Sequence, residues 1–266
     1  MPKPAPEQLA DFYSNAYYRN DPDSDAQSGY HSDYRELEAG LKRMYRRLLR
    51  RIDRSSPGRQ IARVLDVGCA YGFFLDTVEE CFAPSELVGV DISPEAREQA
   101  ALKGRIFHAG FIEDVDLPNA HFDLVFMGDA LEHVHDPLRV ADKLVRVLAP
   151  GGTLILTTVD FGSWLARLLG ERWRLLTPPE HLYFWTRPAL ERLFADRGLT
   201  ARIGNYWLYY PKSYVYQRTR QQFGFTPRFL ALFPGDLIPI PSFDAMVGVF
   251  HKPVGGEPSA DGEPSR

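Results

Sequence analysis

The chain has 266 residues, enough for one α/β domain with elaborations or one domain plus a small cap. Its net charge of −4, with acids and bases interspersed, supplies no global positive field, so nucleic acid is not an expected partner. Cys69 and Cys81 make neither a disulfide framework nor a zinc spacing, and no stretch approaches the roughly 20 apolar residues of a membrane span. Met1-Pro2-Lys3-Pro4-Ala5-Pro6 also lacks the apolar core of a secretion signal, so a cytoplasmic setting is expected.

Residues 1–34 are polar and rich in Tyr and Asp. From Tyr34 to Ile52, Leu37, Leu41, Met44, Tyr45, Leu48 and Leu49 recur at helical spacing with arginines between them, which predicts an amphipathic lead-in helix within an N-terminal cap, residues 1–58. Ser55-Ser56-Pro57-Gly58 ends it, and a domain over 59–252 begins. Strands are predicted near 64–67, 88–90, 106–109, 124–127 and 153–158, with helices near 72–82, 94–102 and 137–148. This alternation predicts a doubly wound, mostly parallel α/β sheet covered on both faces. Asp136-Pro137 should start the last of these helices, the stripe Leu138, Ala141, Leu144, Val145 and Leu148 should face the sheet, and Pro150-Gly151-Gly152 should stop it.

Beyond residue 160 the pattern changes. Ser163 to Gly170 reads as a short capped helix with Trp164 and Leu168 on one side, and Thr177 to Trp185 as an aromatic loop. Thr186 should cap a helix to about residue 197, followed by strands at 200–204 and 245–251. Between these strands, residues 206–244 hold Tyr206, Trp207, Tyr209, Tyr210, Tyr214, Tyr216, Phe223 and Phe225, together with Arg218, Arg220 and Arg228. A long aromatic insertion reads as a lid over a partly apolar, lipid-linked acceptor, with the arginines at an anionic group or a membrane surface; the alternative is that it packs onto the sheet. The Gly, Pro, Ser and acid-rich tail, 253–266, should be disordered.

The chemistry centres on Val64-Leu65-Asp66-Val67-Gly68-Cys69-Ala70-Tyr71-Gly72 and on Asp91 at the end of Leu87-Val88-Gly89-Val90-Asp91. A strand breaking into a glycine loop, beside a second strand ending in an acid, places bare backbone and a diol-reading carboxylate together at the carboxyl edge of a sheet, which suits an adenosine-containing cofactor. Ala70 stands where a dinucleotide fingerprint needs its second glycine, which argues against a nicotinamide-dependent oxidoreductase.

Asp66-x-Gly68-x-x-x-Gly72 resembles the first motif of class I S-adenosylmethionine-dependent methyltransferases, and the likeness extends over most of residues 60–205. It is similar to the small bacterial enzymes of that family that methylate metabolites and glycans. The resemblance implies a Rossmann-like sheet of seven strands, the last antiparallel, and S-adenosyl-L-methionine as cofactor. Gly68, Cys69, Ala70, Tyr71 and Gly72 would line its methionyl part, and Asp66 would fix the loop or help hold the amino group. Asp91 would accept the ribose hydroxyls, and Ile92 would pack on adenine. Phe111 and Ile112 would flank the adenine edge, where the family commonly has an acid first, a place Glu113 could fill. Met127 and Gly128 would offer carbonyls to the ammonium.

In-line methyl transfer asks mainly for positioning and exclusion of water, plus a base when the acceptor is a hydroxyl. His133 and His181, each beyond the carboxyl end of a strand, are the candidate bases, with structural hydrogen bonding as the alternative. Asp129, Glu132 and His133 would share one face if their segment were helical, an arrangement resembling the ion-binding triads of some quinone-pathway O-methyltransferases; capping and a solvated face are the more ordinary reading, and no metal is expected. The expected activity is methylation of an oxygen, or else of nitrogen or carbon, on a small-molecule or glycan acceptor. A methyltransferase-like binding module without turnover is the rival from another class.

Overall fold

The computed structural model describes residues 34–55, 60–177, 181–224, 231–232 and 234–255. Most of the expected N-terminal cap and of the tail, with Phe225 and Arg228, therefore lies outside the described residues. In chain order the elements are α1 (Glu38–Ser55), β1 (Arg63–Val67), α2 (Phe73–Phe82), β2 (Glu86–Asp91), α3 (Pro94–Leu102), β3 (Ile106–Ala109), β4 (Phe122–Gly128), α4 (Pro137–Val147) and β5 (Leu148–Val159). They continue with α5 (Trp164–Leu169), α6 (Arg187–Ala195), β6 (Thr200–Gly204), β7 (Trp207–Pro211), α7 (Lys212–Phe223), β8 (Leu237–Pro241) and β9 (Ala245–His251).

Seven strands form one sheet in the order β3-β2-β1-β4-β5-β9-β6, and only β9 runs antiparallel to its neighbours. The central strands read as unbroken apolar runs because both faces are covered. Successive residues point to opposite faces: Leu65, Val67, Val125, Met127, Leu154 and Leu156 enter the core beneath α4 and α6, whereas Val64, Leu124, Phe126 and Ile155 enter the core beneath α1 and α2. The strand order reverses between β1 and β4, which opens a crevice at the carboxyl ends of β1, β2, β4 and β5. No helix among the described residues is long and apolar enough to cross a membrane.

Several local expectations shift. Leu138 is 57% exposed; α4 instead buries Val140, Ala141, Leu144 and Val147, because its sheet-facing stripe begins at Pro137 rather than Leu138. Pro150-Gly151-Gly152 lies inside β5, which leaves α4 directly at Leu148. The pairing jumps from Phe122↔Leu148 to Leu124↔Thr153, and this bulge absorbs the extra residues. Trp164 and Leu168 share a side of α5 as expected but face outward, 60% and 72% exposed.

The insertion over 206–244 contains regular structure: β7 and β8 pair antiparallel, and α7 follows β7 directly. Tyr206, Tyr209, Tyr214 and Ile238 are buried, and Tyr209 joins the core formed with α1. The approach is close enough that a Cβ on Gly40 of α1 would overlap the Tyr209 carbonyl. The side chain of Phe223 lies outside the described residues.

Candidate cofactor and acceptor site

β1 releases the chain into a turn that uses left-handed backbone three times, at Gly68 (φ 72°), Ala70 (φ 44°) and Gly72 (φ 73°). A Cβ on Gly68 would sit 3.3 Å from that of Ala130, a tight contact that adds to the preference of the left-handed φ for glycine. Ala70 holds its left-handed geometry at a cost of about 1–2 kcal/mol. Backbone bonds tie the turn to β2: the Gly68 and Cys69 N–H groups donate to the Val90 carbonyl at 2.8 and 3.3 Å.

Asp91 completes the tie. Its Oδ2 accepts the Ala70 N–H at 2.9 Å and its Oδ1 the Ser93 N–H at 2.8 Å. Burial pushes this carboxyl above its ordinary range, opposed by those backbone donors. The Ser93 side chain and the Ile92 backbone donate to the same carboxylate, and a strand-end acid held in this way is the group type that accepts from a ribose diol. From α3's end, Lys103 Nζ donates to the Tyr71 carbonyl at 3.1 Å, and Arg105 just beyond it donates to the Gly72 carbonyl at 3.2 Å. These two bases hold the far end of the turn, a role that nothing in their local spacing announces.

Asp66 is 2% exposed, and burial, reinforced by the Asp91 charge, pushes its carboxyl well up. Cys69 lies under the turn against Gly89; burial and the same two carboxylates push its thiol up, which makes it inert rather than nucleophilic. Met127 and Ile112 are buried, at 1% and 3% exposure. Ile92, Phe111 and Gly128 are half-buried along the crevice, and Glu113 Oε2 is buried without a hydrogen-bond partner. An amine donor such as the adenine N6 would satisfy it. The bare turn, the paired oxygens of Asp91 and this orphaned carboxylate fit an adenosyl sulfonium cofactor.

Tyr34, at the start of the predicted lead-in helix, and Tyr45, from its apolar stripe, lie beside these groups. The Tyr34 ring stacks on Phe73 at 5.4 Å and on Tyr71 at 5.8 Å, and its hydroxyl is hydrogen-bonded to Tyr45. Burial, with Asp66, Asp129 and other groups nearby, pushes both phenols upward, so they remain protonated donors beside the crevice.

The acceptor side is built after β4 and β5. Residues 131–133 form a turn rather than a helix, so Asp129 is exposed, at φ 47°, and shares no helix face with Glu132 and His133. Glu132 is buried and its Oε2 accepts from Thr158 Oγ1 at 2.8 Å. Its carbonyl accepts the N–H groups of Leu182 and Tyr183 at 2.8 and 3.1 Å, which draws the aromatic loop against the turn. His181 thereby meets His133 edge to face, with ring centroids 4.7 Å apart. Donor atoms of Glu132, His133 and His181 lie within 4.8 Å of one another, a carboxylate and two imidazoles that could hold a divalent ion.

His181 Nδ1 lies 2.7 Å from the Leu175 carbonyl, which can only accept, so the proton sits on Nδ1 and Nε2 is left basic. Burial pulls the imidazole below its usual 6.5, only partly offset by that carbonyl. Phe161, Trp173 and Phe184 cluster at 5.7–6.3 Å and Phe184 also reaches His181. Trp173 is anchored by Nε1–H donation to Asp244 Oδ2 at 3.0 Å, and Arg187 Nε donates to Asp160 Oδ2 at 2.8 Å. The histidines thus face an aromatic wall at the carboxyl end of β5.

Comparison with known proteins identifies the family. Residues 41–202 match the family model described as a methyltransferase domain. A rice (Oryza sativa subsp. japonica) chloroplastic 2-methyl-6-phytyl-1,4-hydroquinone methyltransferase 2 is 33% identical over 150 residues, covering 54% of this chain and 42% of that protein. The ubiquinone biosynthesis O-methyltransferase of Psychrobacter arcticus is 31% identical over 154 residues, covering 52% and 59%. The chain spans about half the length of these curated relatives. The plantazolicin methyltransferase BpumL, solved with S-adenosylhomocysteine, shares the fold with a TM-score of 0.57 at 15% identity over 92% of this chain and 94% of that one. The chain belongs to the class I S-adenosylmethionine-dependent methyltransferase family.

Proposed function

We propose that this protein methylates a hydroxyl oxygen on a small aromatic acceptor, with His181 as the general base. The observation that carries the reading is the buried imidazole with Nδ1 anchored on the Leu175 carbonyl, beside Phe161, Trp173 and Phe184. Its lowered pKa leaves it neutral at pH 7, and Nε2 can take the acceptor's proton as the oxygen becomes nucleophilic. The aromatic wall would orient a ring by stacking and keep water from the transfer. Bound S-adenosylmethionine would supply the electrophilic methyl group, with a neutral thioether as its leaving group. Asp91 and the Gly68–Gly72 turn hold that cofactor, Tyr34 and Tyr45 close the crevice beside it, and Glu113 reads adenine.

An apolar tail on the acceptor is supported by Trp164 and Phe243, which pack edge to face at 5.9 Å yet stay 60% and 45% exposed beside the loop after β5. The relatives named for hydroquinone and ubiquinone pathways favour the same acceptor chemistry. The test is S-adenosylhomocysteine release with a panel of phenolic, glycan and amine acceptors. Phenolic turnover should be lost in His181→Ala while S-adenosylhomocysteine affinity holds within about twofold, because a base acts mainly in the transition state. Turnover of amines alone, or an unaffected His181→Ala, overturns the reading. A chelator arm covers a second reading: loss of activity restored by a divalent ion would recast Glu132, His133 and His181 as ligands.

A further inference from the structure

Although the chain is acidic overall, one groove on it is strongly basic. α1 buries Met44, Tyr45, Leu48 and Leu49 and turns Arg43, Arg47 and Arg50 to solvent, at i, i+4 and i+7 on a neighbouring face. These arginines line a groove of about 760 Å³ between α1 and the β7–β8 pair, which Glu36, Glu38, Tyr209 and Leu237 also line, so that bases outnumber acids in it. The volume falls within the range of small-molecule sites, roughly 300–1,000 Å³.

The charges in the groove are unequally matched. Lys42 is paired with Glu38 at 2.8 Å and Asp76 at 3.1 Å, and Arg46 with Glu80 at 2.5 Å. Arg43, Arg47 and Arg50 have no carboxylate partner among the described residues. Aromatic surfaces position two of them instead. Arg43 lies over the Tyr209 ring at 5.1 Å, and Arg47 donates to the Tyr209 hydroxyl at 3.0 Å while lying over Trp207 at 5.9 Å. Held this way, a guanidinium plane loses little entropy on meeting a ligand and keeps N–H donors for it. Three like charges one turn apart repel each other, an unfavourable arrangement that an anion in the groove would relieve. Arg35, stacked on Tyr71 at 4.9 Å, continues the basic lining toward the glycine turn.

Planar guanidinium forks match phosphate oxygens, and several of them on one concave wall suit more than one phosphate. We infer that the groove between α1 and β7–β8 binds the diphosphate group of a small ligand, at a site separate from the methyl-transfer crevice. A soluble diphosphate ester and a diphosphate lipid headgroup would present this same chemistry.

Calorimetry on the full chain with inorganic pyrophosphate, in about 0.15 M salt so that weak surface attraction is screened, tests the site. Saturable binding is expected, weakened tenfold or more in the Arg43→Ser/Arg50→Ser double variant, whose melting temperature and S-adenosylhomocysteine affinity should stay at wild-type values. Arg47 is left intact because it holds Tyr209. Vesicles carrying a lipid diphosphate distinguish the sources: capture that pyrophosphate competes away assigns a headgroup, and pyrophosphate binding without capture assigns a soluble ester. Pyrophosphate affinity no greater than that of sulfate, or unchanged in the double variant, overturns the site.

Discussion

Replacing Asp91 with alanine should damage folding and cofactor binding together, by amounts that follow from its contacts. The carboxylate accepts the Ala70 and Ser93 N–H groups at 2.9 and 2.8 Å in a site only 9% exposed, where water cannot replace it. Hydrogen bonds to a charged group contribute about 1.5–3 kcal/mol each. The cost of burying the carboxyl, visible in its raised pKa, offsets part of the pair. A net loss of about 2–4 kcal/mol is expected, or roughly 4–16 °C in melting temperature for a domain of this size. Loss of the proposed ribose contact should remove about 1.5–3 kcal/mol of binding, a roughly 10- to 150-fold weaker Kd for S-adenosylhomocysteine. Asp91→Asn keeps one acceptor oxygen and should fall between wild type and alanine on both measures. Differential scanning fluorimetry and calorimetry read the two effects. An alanine variant that melts like the wild type would show that the carboxylate does not hold the turn, and undiminished affinity would remove it from the cofactor site.

Three further outcomes are expected. His181 is held below 6.5 by burial, so between its folded value and 6.5 the unfolded chain binds more protons; its contribution to stability is full above 6.5 and lost as pH falls through that window. The acid limb of kcat/KM should lie below 6.5 and vanish from residual activity in His181→Ala, and a limb above 6.5 contradicts the assignment. Gly40→Ala, whose new Cβ would meet the Tyr209 backbone, should cost about 3 kcal/mol in denaturant unfolding, and a neutral result would mean that β7 does not rest on α1 as described. Native-state alkylation followed by mass mapping should modify exposed Cys81 and spare buried Cys69; rapid labelling of Cys69 would mean that the turn opens readily.

The frame of the site was legible because its signals are local. A doubly buried strand reads as Val64-Leu65, a left-handed turn as Gly68 and Gly72, and a strand-end acid as Asp91, all within one short stretch of sequence. Features that depend on distant partners were not. His181, rather than Asp129, joins Glu132 and His133, and this follows from the N–H groups of Leu182 and Tyr183 meeting the Glu132 carbonyl. Tyr45 has the spacing of an ordinary helix-face residue and Tyr34 only marks the predicted start; their place beside the crevice comes from how α1 and the turn before it pack on Phe73 and Phe74 of α2. The exposed arginines of α1 likewise look like a solvated face until β7 and β8 supply the opposite wall. Leu138 fits the helical stripe numerically, yet its neighbours win the sheet-facing side.

The antiparallel strand β9 also dictates the order in which the molecule can be made. It pairs with β5 from Thr153↔His251 to Val159↔Ala245 and with β6 from Thr200↔His251 to Gly204↔Val247, so among the described residues it is the strand that joins them in the sheet. During synthesis, β1 to β5 can associate as they emerge, whereas β6 has no strand to join until residues 245–251 leave the ribosome. Until then β5 presents an unpaired edge of apolar residues, the kind of surface on which nascent chains misassociate. Translation that stalls late should therefore be harsher on this protein than its buried core would suggest.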